Sequence, residues 1–131
     1  MNAGFLLDTH TFLWSLSEPE RLSDRARDCL EASESKLWVS SVSFFEIANK
    51  VRIGKLAVAD DVLSRWDWIL SRLNAQPVGL TVPDSIVAGG WPSPHRDPFD
   101  RLLAAQAKNN KLVLVTCDTA FSTFSEVETL W

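Results

Sequence analysis

At 131 residues the chain has the length of one ordinary domain, enough to bury a real core and too short for two independent ones. Apolar residues make up 46% and charged residues 23%, with only 5 Gly and 6 Pro, which excludes a disordered, collagen-like or repetitive chain. The formal charge of −4 lacks the basic footprint of a phosphate-binding surface, yet if four of the 17 acids gather in one site, the remaining 13 match the 13 Lys and Arg, and a bound divalent metal reverses the local sign.

Residues 1–131 read as a single domain, without linker, repeat or low-complexity tract. The first fourteen residues carry no Lys or Arg and hold Asp8 inside their apolar run, so they match neither a signal peptide nor a membrane span, and a cytoplasmic location is expected. Phe5-Leu6-Leu7 predicts a short buried strand ending at Asp8, with Thr9 placed to cap a helix carrying Phe12, Leu13 and Leu16. A second helix is expected from Asp24 to about Ser33, with Ala26, Cys29 and Leu30 on one side. Cys29 and Cys117 fit no zinc spacing and read as buried hydrophobes.

Leu37-Trp38-Val39 reads as the next strand, and Ser43 with Glu46 has the spacing of a capping box opening a helix whose apolar face is Phe44, Ile47, Ala48 and Val51. Gly54 stops it, and Asp60 or Asp61 starts an amphipathic helix with Val62, Leu63, Trp66, Ile69, Leu70 and Leu73 inward. Trp68 lies about 200° round from Trp66, so one of the two should be exposed. Pro77 should end that helix, Val78 to Val82 should be a strand, Pro83 should begin a short helix, and Gly89 to Pro94 should be loop.

The stretch His95-Arg96-Asp97-Pro98-Phe99-Asp100-Arg101-Leu102-Leu103-Ala104-Ala105 predicts a capped helix feeding the apolar strand Leu112 to Thr116, which leads to Asp118. A brief strand near Val127 to Leu130 closes the chain. Strands alternating with helices predict an α/β sandwich with a mostly parallel sheet, in which ligands sit beyond the carboxyl ends of the strands. Asp8 and Asp118 follow such ends, and Glu46 and Asp100 lie in the first turns of helices that start there.

Four carboxylates brought together repel one another unless a hard cation neutralises them, and Mg²⁺ or Mn²⁺ takes oxygen ligands of this kind. No GxSxG, Walker loop or Gly-rich dinucleotide turn offers another nucleophile, which leaves metal-activated water. Each acid also has a structural role open to it. Asp97, followed by Pro98 at the first helical position, reads as an N-cap; Asp100 at the third position suits the helix dipole; Glu46 suits a capping box with Ser43 or a pair with Lys50; Asp118 suits a turn and Asp8 a cap. His10 and His95 read as loop or capping contacts, and Arg96 and Arg101 as solvated charges or phosphate holders. A receiver-type phosphotransfer domain fits poorly, because the first strand is not followed by DxD.

Leu7-Asp8-Thr9-His10 with Leu13-Trp14, Ser40 through Glu46-Ile47-Ala48 with Lys50 and Gly54-Lys55-Leu56, His95 to Ala107, and Val115-Thr116 with Asp118 together resemble the PIN-domain ribonucleases. More narrowly they resemble the VapC-type toxins of bacterial toxin–antitoxin pairs. The resemblance implies a PIN-like three-layer α/β/α fold, Mg²⁺- or Mn²⁺-dependent endoribonuclease activity on RNA, homodimers, and inhibition by a small cognate antitoxin. It assigns the catalytic and metal-binding acids to Asp8, Glu46, Asp100 and Asp118, with Thr116 as a hydroxyl near the metal; Asp97, by its place beside Asp100, and Arg101, as a candidate phosphate holder, are added as supporting residues from their own positions. One departure is Ser85-Ile86, where this branch often has a His-Ala pair. The reading from another class is a non-catalytic partner of an antitoxin in an autoregulatory DNA-binding complex.

Overall fold

The computed structural model describes residues 4–131. Five parallel strands, β1 (Phe5–Leu7), β2 (Leu37–Ser40), β3 (Ala75–Val78), β4 (Val113–Val115) and β5 (Thr129–Leu130), form one sheet in the order β3-β2-β1-β4-β5. The chain leaves β1 toward β2 and β3 on one side, then returns to lay β4 on the other. β1 is therefore where the strand order reverses, and the crevice between the carboxyl ends of β1 and β4 is where such sheets bind ligands.

The pleat of β1 separates two cores. Leu7, Val39 and Val115 point to one that includes Phe12, Ala26, Ile69 and Leu70, from α1 (Thr9–Ser17), α2 (Asp24–Glu31) and, after α3 (Ser41–Arg52) and α4 (Asp61–Ser64), α5 (Trp66–Leu73). Leu6 and Leu114 point to the other, packed by Leu103, Ala104 and Ala107 of α7 (Pro98–Asn110), which lies beside α6 (Val82–Gly90). Helices on both faces give the α/β/α layering, and the sheet is wholly parallel. Gly4 takes φ +130 where a Cβ would collide with the Lys36 carbonyl, so no other residue fits as the chain enters β1. No described helix is long and apolar enough to cross a membrane.

Several local expectations are corrected. α1 is capped by Asp8, not Thr9: Asp8 has extended backbone and its side chain accepts from Thr11 N. The third helix opens two residues before Ser43, because Ser40 at the end of β2 caps it, accepting from Val42 N at 3.0 Å; the Ser43–Glu46 capping box is not made. Its buried stripe is Val42, Ser43, Glu46 and Ile47, while Ala48 and Val51 face outward. Hydrophobic periodicity misses this because the buried polar residues are satisfied by one another and by α1.

The single helix expected after Asp60 is broken at Arg65 (φ −126, ψ 40) into α4 and α5. Both Trp66 and Trp68 are exposed, at 44% and 39%, the first set edge-on to Phe44 and the second flanked by the guanidiniums of Arg65 and Arg72. Pro77 lies inside β3, not ahead of a strand at Val78 to Val82; β3 is an edge strand, where a residue without an N–H is tolerated. Gly89 and Gly90 complete the last turn of α6, which starts at a Thr81–Asp84 capping box. Cys29 is buried as expected, but Cys117 is exposed.

Candidate active site

Asp8 follows β1 directly and is 6% exposed. Its backbone N–H donates to Val115 O across the β1–β4 crevice at 3.1 Å, and Thr11 Oγ1 donates to the same carbonyl at 2.9 Å, which pins the start of α1 to β4. One carboxylate oxygen, Oδ1, accepts from Thr11 N at 2.8 Å. The other has no such duty.

Glu46 is turned inward from α3, 7% exposed. Its Oε1 is 2.8 Å from Thr9 Oγ1, which is also 2.9 Å from Ser43 Oγ, and its Oε2 accepts from Lys50 Nζ at 2.8 Å. The residue after Asp8 thus holds the glutamate by a hydroxyl, and the i,i+4 lysine neutralises it.

Asp97 caps α7, with Oδ1 accepting from Phe99 N at 2.9 Å and Asp100 N at 3.3 Å. Asp100, one turn inside, instead meets His95 Nε2 through Oδ2 at 2.8 Å. Burial pushes the Asp100 carboxyl above its ordinary value; the His95 hydrogen bond opposes this, and the charges of Asp97 and Asp118 add to it. Asp118 lies on the exposed turn after β4, its N–H donating to Thr116 Oγ1 at 3.0 Å and its Oδ1 capping the 3₁₀ turn Thr119–Thr123 through Ala120 N at 2.9 Å. The exposed Cys117 thiol is also pushed up, by desolvation first and then by the charges of Asp8 and Asp118, with Arg21 acting against them.

Asp118 is thus felt both at Asp100 and at Cys117, and Asp8 is felt at Cys117, which makes the mouth of the crevice one acidic field. Among the described residues no three His, Cys, Asp or Glu side chains are gathered closely enough to hold one ion jointly. Mg²⁺ takes one or two protein carboxylates together with waters and substrate phosphate. The carboxylates of Asp8, Asp100 and Asp118 offer oxygen donors, which a hard divalent ion takes, so these residues fit such an ion.

Arg101 does not stand free to hold a phosphate. Its Nε donates to Ala88 O at 2.8 Å, its Nη1 to Ser93 O at 3.0 Å and His95 O at 2.6 Å, and its Nη2 to Trp91 O, so four of its five donors strap the 88–95 segment to α7. Thr9 and Lys50 enter the site without having been singled out as its residues. The signal for both was present, a hydroxyl next to Asp8 and a cation one turn after Glu46, but each also fitted a helix role.

Residues 5–127 match the PIN domain family. The chain is 36% identical over 114 residues to Ribonuclease VapC22 of Mycobacterium tuberculosis, covering 86% of this chain and 85% of that protein. Its fold is similar to that of VapBC2 from Rickettsia felis bound to a DNA fragment from their promoter, with a TM-score of 0.72 at 18% identity over 96% of each chain. DNA-bound VapBC from Salmonella typhimurium gives a TM-score of 0.71 at 19% identity, over 99% of this chain and 98% of that one. With the family spanning nearly every element from β1 to the turn before β5, this chain belongs to the PIN-domain family.

Proposed function

We propose that the chain is a divalent-metal-dependent endoribonuclease that acts as the toxin of a toxin–antitoxin pair. The observation that carries this reading is the 36% identity to a ribonuclease across 86% of the chain, supported by the acidic field at the β1–β4 crevice. In it Asp8, Glu46, Asp100 and Asp118 are the catalytic and metal-binding acids. A divalent ion such as Mg²⁺ or Mn²⁺ held by these acids would supply Lewis acidity, lowering the pKa of water and offsetting charge on the leaving oxygen of an RNA phosphodiester.

The chain's own residues divide the remaining work. Asp8, with Oδ1 occupied by Thr11 N, offers Oδ2 to the ion, and Asp100 offers the oxygen that His95 leaves free. Glu46, held on both oxygens, contributes charge and a place to hydrogen-bond the attacking water. Asp118, at the open rim, meets incoming solvent and substrate, with Thr116 fixing its backbone. Asp97 caps the helix and Arg101 braces the loop, both supporting the site from outside it.

The test is Asp8→Asn. Asn retains a side-chain oxygen for Thr11 N, so the variant should keep the parent's far-ultraviolet spectrum and melt close to it while losing at least about 100-fold in Mg²⁺-dependent RNA cleavage. Cleavage by that variant at the parental rate, or cleavage that survives EDTA, rules the site out.

A second reading, a binding partner of an antitoxin in a DNA-bound autoregulatory complex, is favoured by one feature. A groove of about 880 Å³ between α1, the segment 56–59 and α4–α5 has an apolar floor that includes Leu13, Trp14 and Ile69, with Arg21 and Arg72 and the acids Glu18 and Asp61 as its charged residues. A small antitoxin laying an apolar face there is the partner it suits, and the two readings are compatible. Tight antitoxin binding with no cleavage under any metal would leave the second alone.

A further inference from the structure

The end of α6 and the loop after it, residues 88–95, are strapped to α7, and the reason is legible in what the segment ends on. Arg101 holds four of its carbonyls, Ser93 Oγ accepts from His95 N at 3.2 Å and pairs with Thr123 Oγ1 at 2.8 Å, and the His95 ring stands edge-on to Phe124 with centroids 5.6 Å apart and 6.3 Å from Phe121. Phe121 and Phe124 are both buried. Backbone and ring are therefore set before any ligand arrives, and what the ring presents is Nε2, 2.8 Å from Asp100 Oδ2. An ionised carboxylate can only accept, so Nε2 carries the proton in that pair.

We propose that His95 is a positioning residue for the nuclease site: by donating from Nε2 to Asp100 Oδ2 it fixes the carboxylate so that Oδ1 serves the divalent cation. The proposal rests on the reading of Asp100 as a metal-binding acid. It explains a difference between two aspartates of one turn. Asp97 bends back onto the N–H groups of its own helix, whereas Asp100, which also starts that helix, is drawn off them by the histidine. A carboxylate restrained by a ring packed against Phe121 and Phe124 loses less rotamer freedom when the ion binds, and outer partners of this kind typically carry about 10–100-fold in metal affinity.

The experiment is Mn²⁺ binding to the purified, metal-free protein, followed by calorimetry and by the loss of free-ion electron-spin signal, with no RNA present. His95→Phe keeps a ring against Phe121 and Phe124 but has no donor; it should bind Mn²⁺ about 10–100-fold more weakly while melting near the parent temperature. His95→Gln places an amide nitrogen where Nε2 stood and should bind close to the parent, and His95→Asn, whose donor is too short to reach, should bind as weakly as the Phe variant. The Gln and Asn pair decides the matter even if the Phe variant does not fold. Parental affinity in His95→Phe, or equal loss in Gln and Asn, overturns the positioning role. Asp100→Asn is the control: its loss of Mn²⁺ beside unchanged affinity in the histidine variants condemns the positioning role alone, whereas parental affinity in Asp100→Asn condemns the assignment of Asp100 and the proposal with it.

Discussion

Asp97 and Asp100 show how one turn of helix separates two like residues by their partners. Asp97 is exposed and spends its oxygen on a cap; Asp100 is half-buried and pays for burial with a raised carboxyl pKa. The sign of the consequence for stability follows from linkage. A folded-state pKa above the unfolded one means that the folded chain binds the proton more readily, so charge at Asp100 destabilises the metal-free fold above the folded pKa, and this penalty fades as pH falls toward the unfolded value of about 3.9. Asp100→Asn, which keeps an acceptor for His95, should therefore raise the melting temperature of the metal-free protein at pH 7, by an increment that shrinks on acidification. Asp97→Asn, itself a good cap, should leave melting nearly unchanged at both pH values. A lower melting temperature for Asp100→Asn at pH 7 would contradict the burial argument.

At the scale of elements, legibility in the sequence tracked how local the deciding interaction is. β1 and β4 are continuous apolar runs, and the cap at Asp97 with Pro98 announces α7 within four residues. The misplaced features depend on neighbours far along the chain. Pro77 is tolerated because β3 lies at the sheet edge, and α3 turns Glu46 inward because Thr9, on another element, receives it. For the same reason the acids could be named from their positions after strands and at helix starts, while their partners Thr9 and His95 could not be assigned. The α6–α7 junction offers a test of the element scale. Asp84, 1% exposed, accepts from Thr81 N at 3.0 Å and from Asn109 Nδ2 at 2.9 Å, so it closes a capping box and ties two helices at once. Asp84→Ala should cost about 1–3 kcal/mol, read as a lower urea midpoint at unchanged m-value, and an unmoved midpoint would show the junction to be held by packing alone.

The whole molecule keeps two surfaces apart. The acidic crevice lies at the carboxyl ends of β1 and β4, and the groove beside α1 and α5 is largely apolar with arginines over tryptophans: Arg21 lies 4.3 Å from the Trp14 ring centre, and Arg72 lies 5.0 Å from that of Trp68. His10 lines the groove two residues after Asp8, so an occupant of the groove reaches the edge of the site. Trp68→Ala should weaken binding of the proposed antitoxin by about tenfold or more, as expected for an aromatic anchor, and leave RNA cleavage by the free protein unchanged. Equal loss of both activities would mean that the groove serves the substrate instead.

The strand order has a consequence for the making of the protein. β1 has its β4 neighbour far along the sequence, beyond two other strands and seven α-helices, and Asp8 finds the Val115 carbonyl only when that neighbour is in place. Pairing between such distant segments comes late and slowly, after the intervening helices have been made. Asp8 therefore stands without its crevice until β4 has docked beside β1.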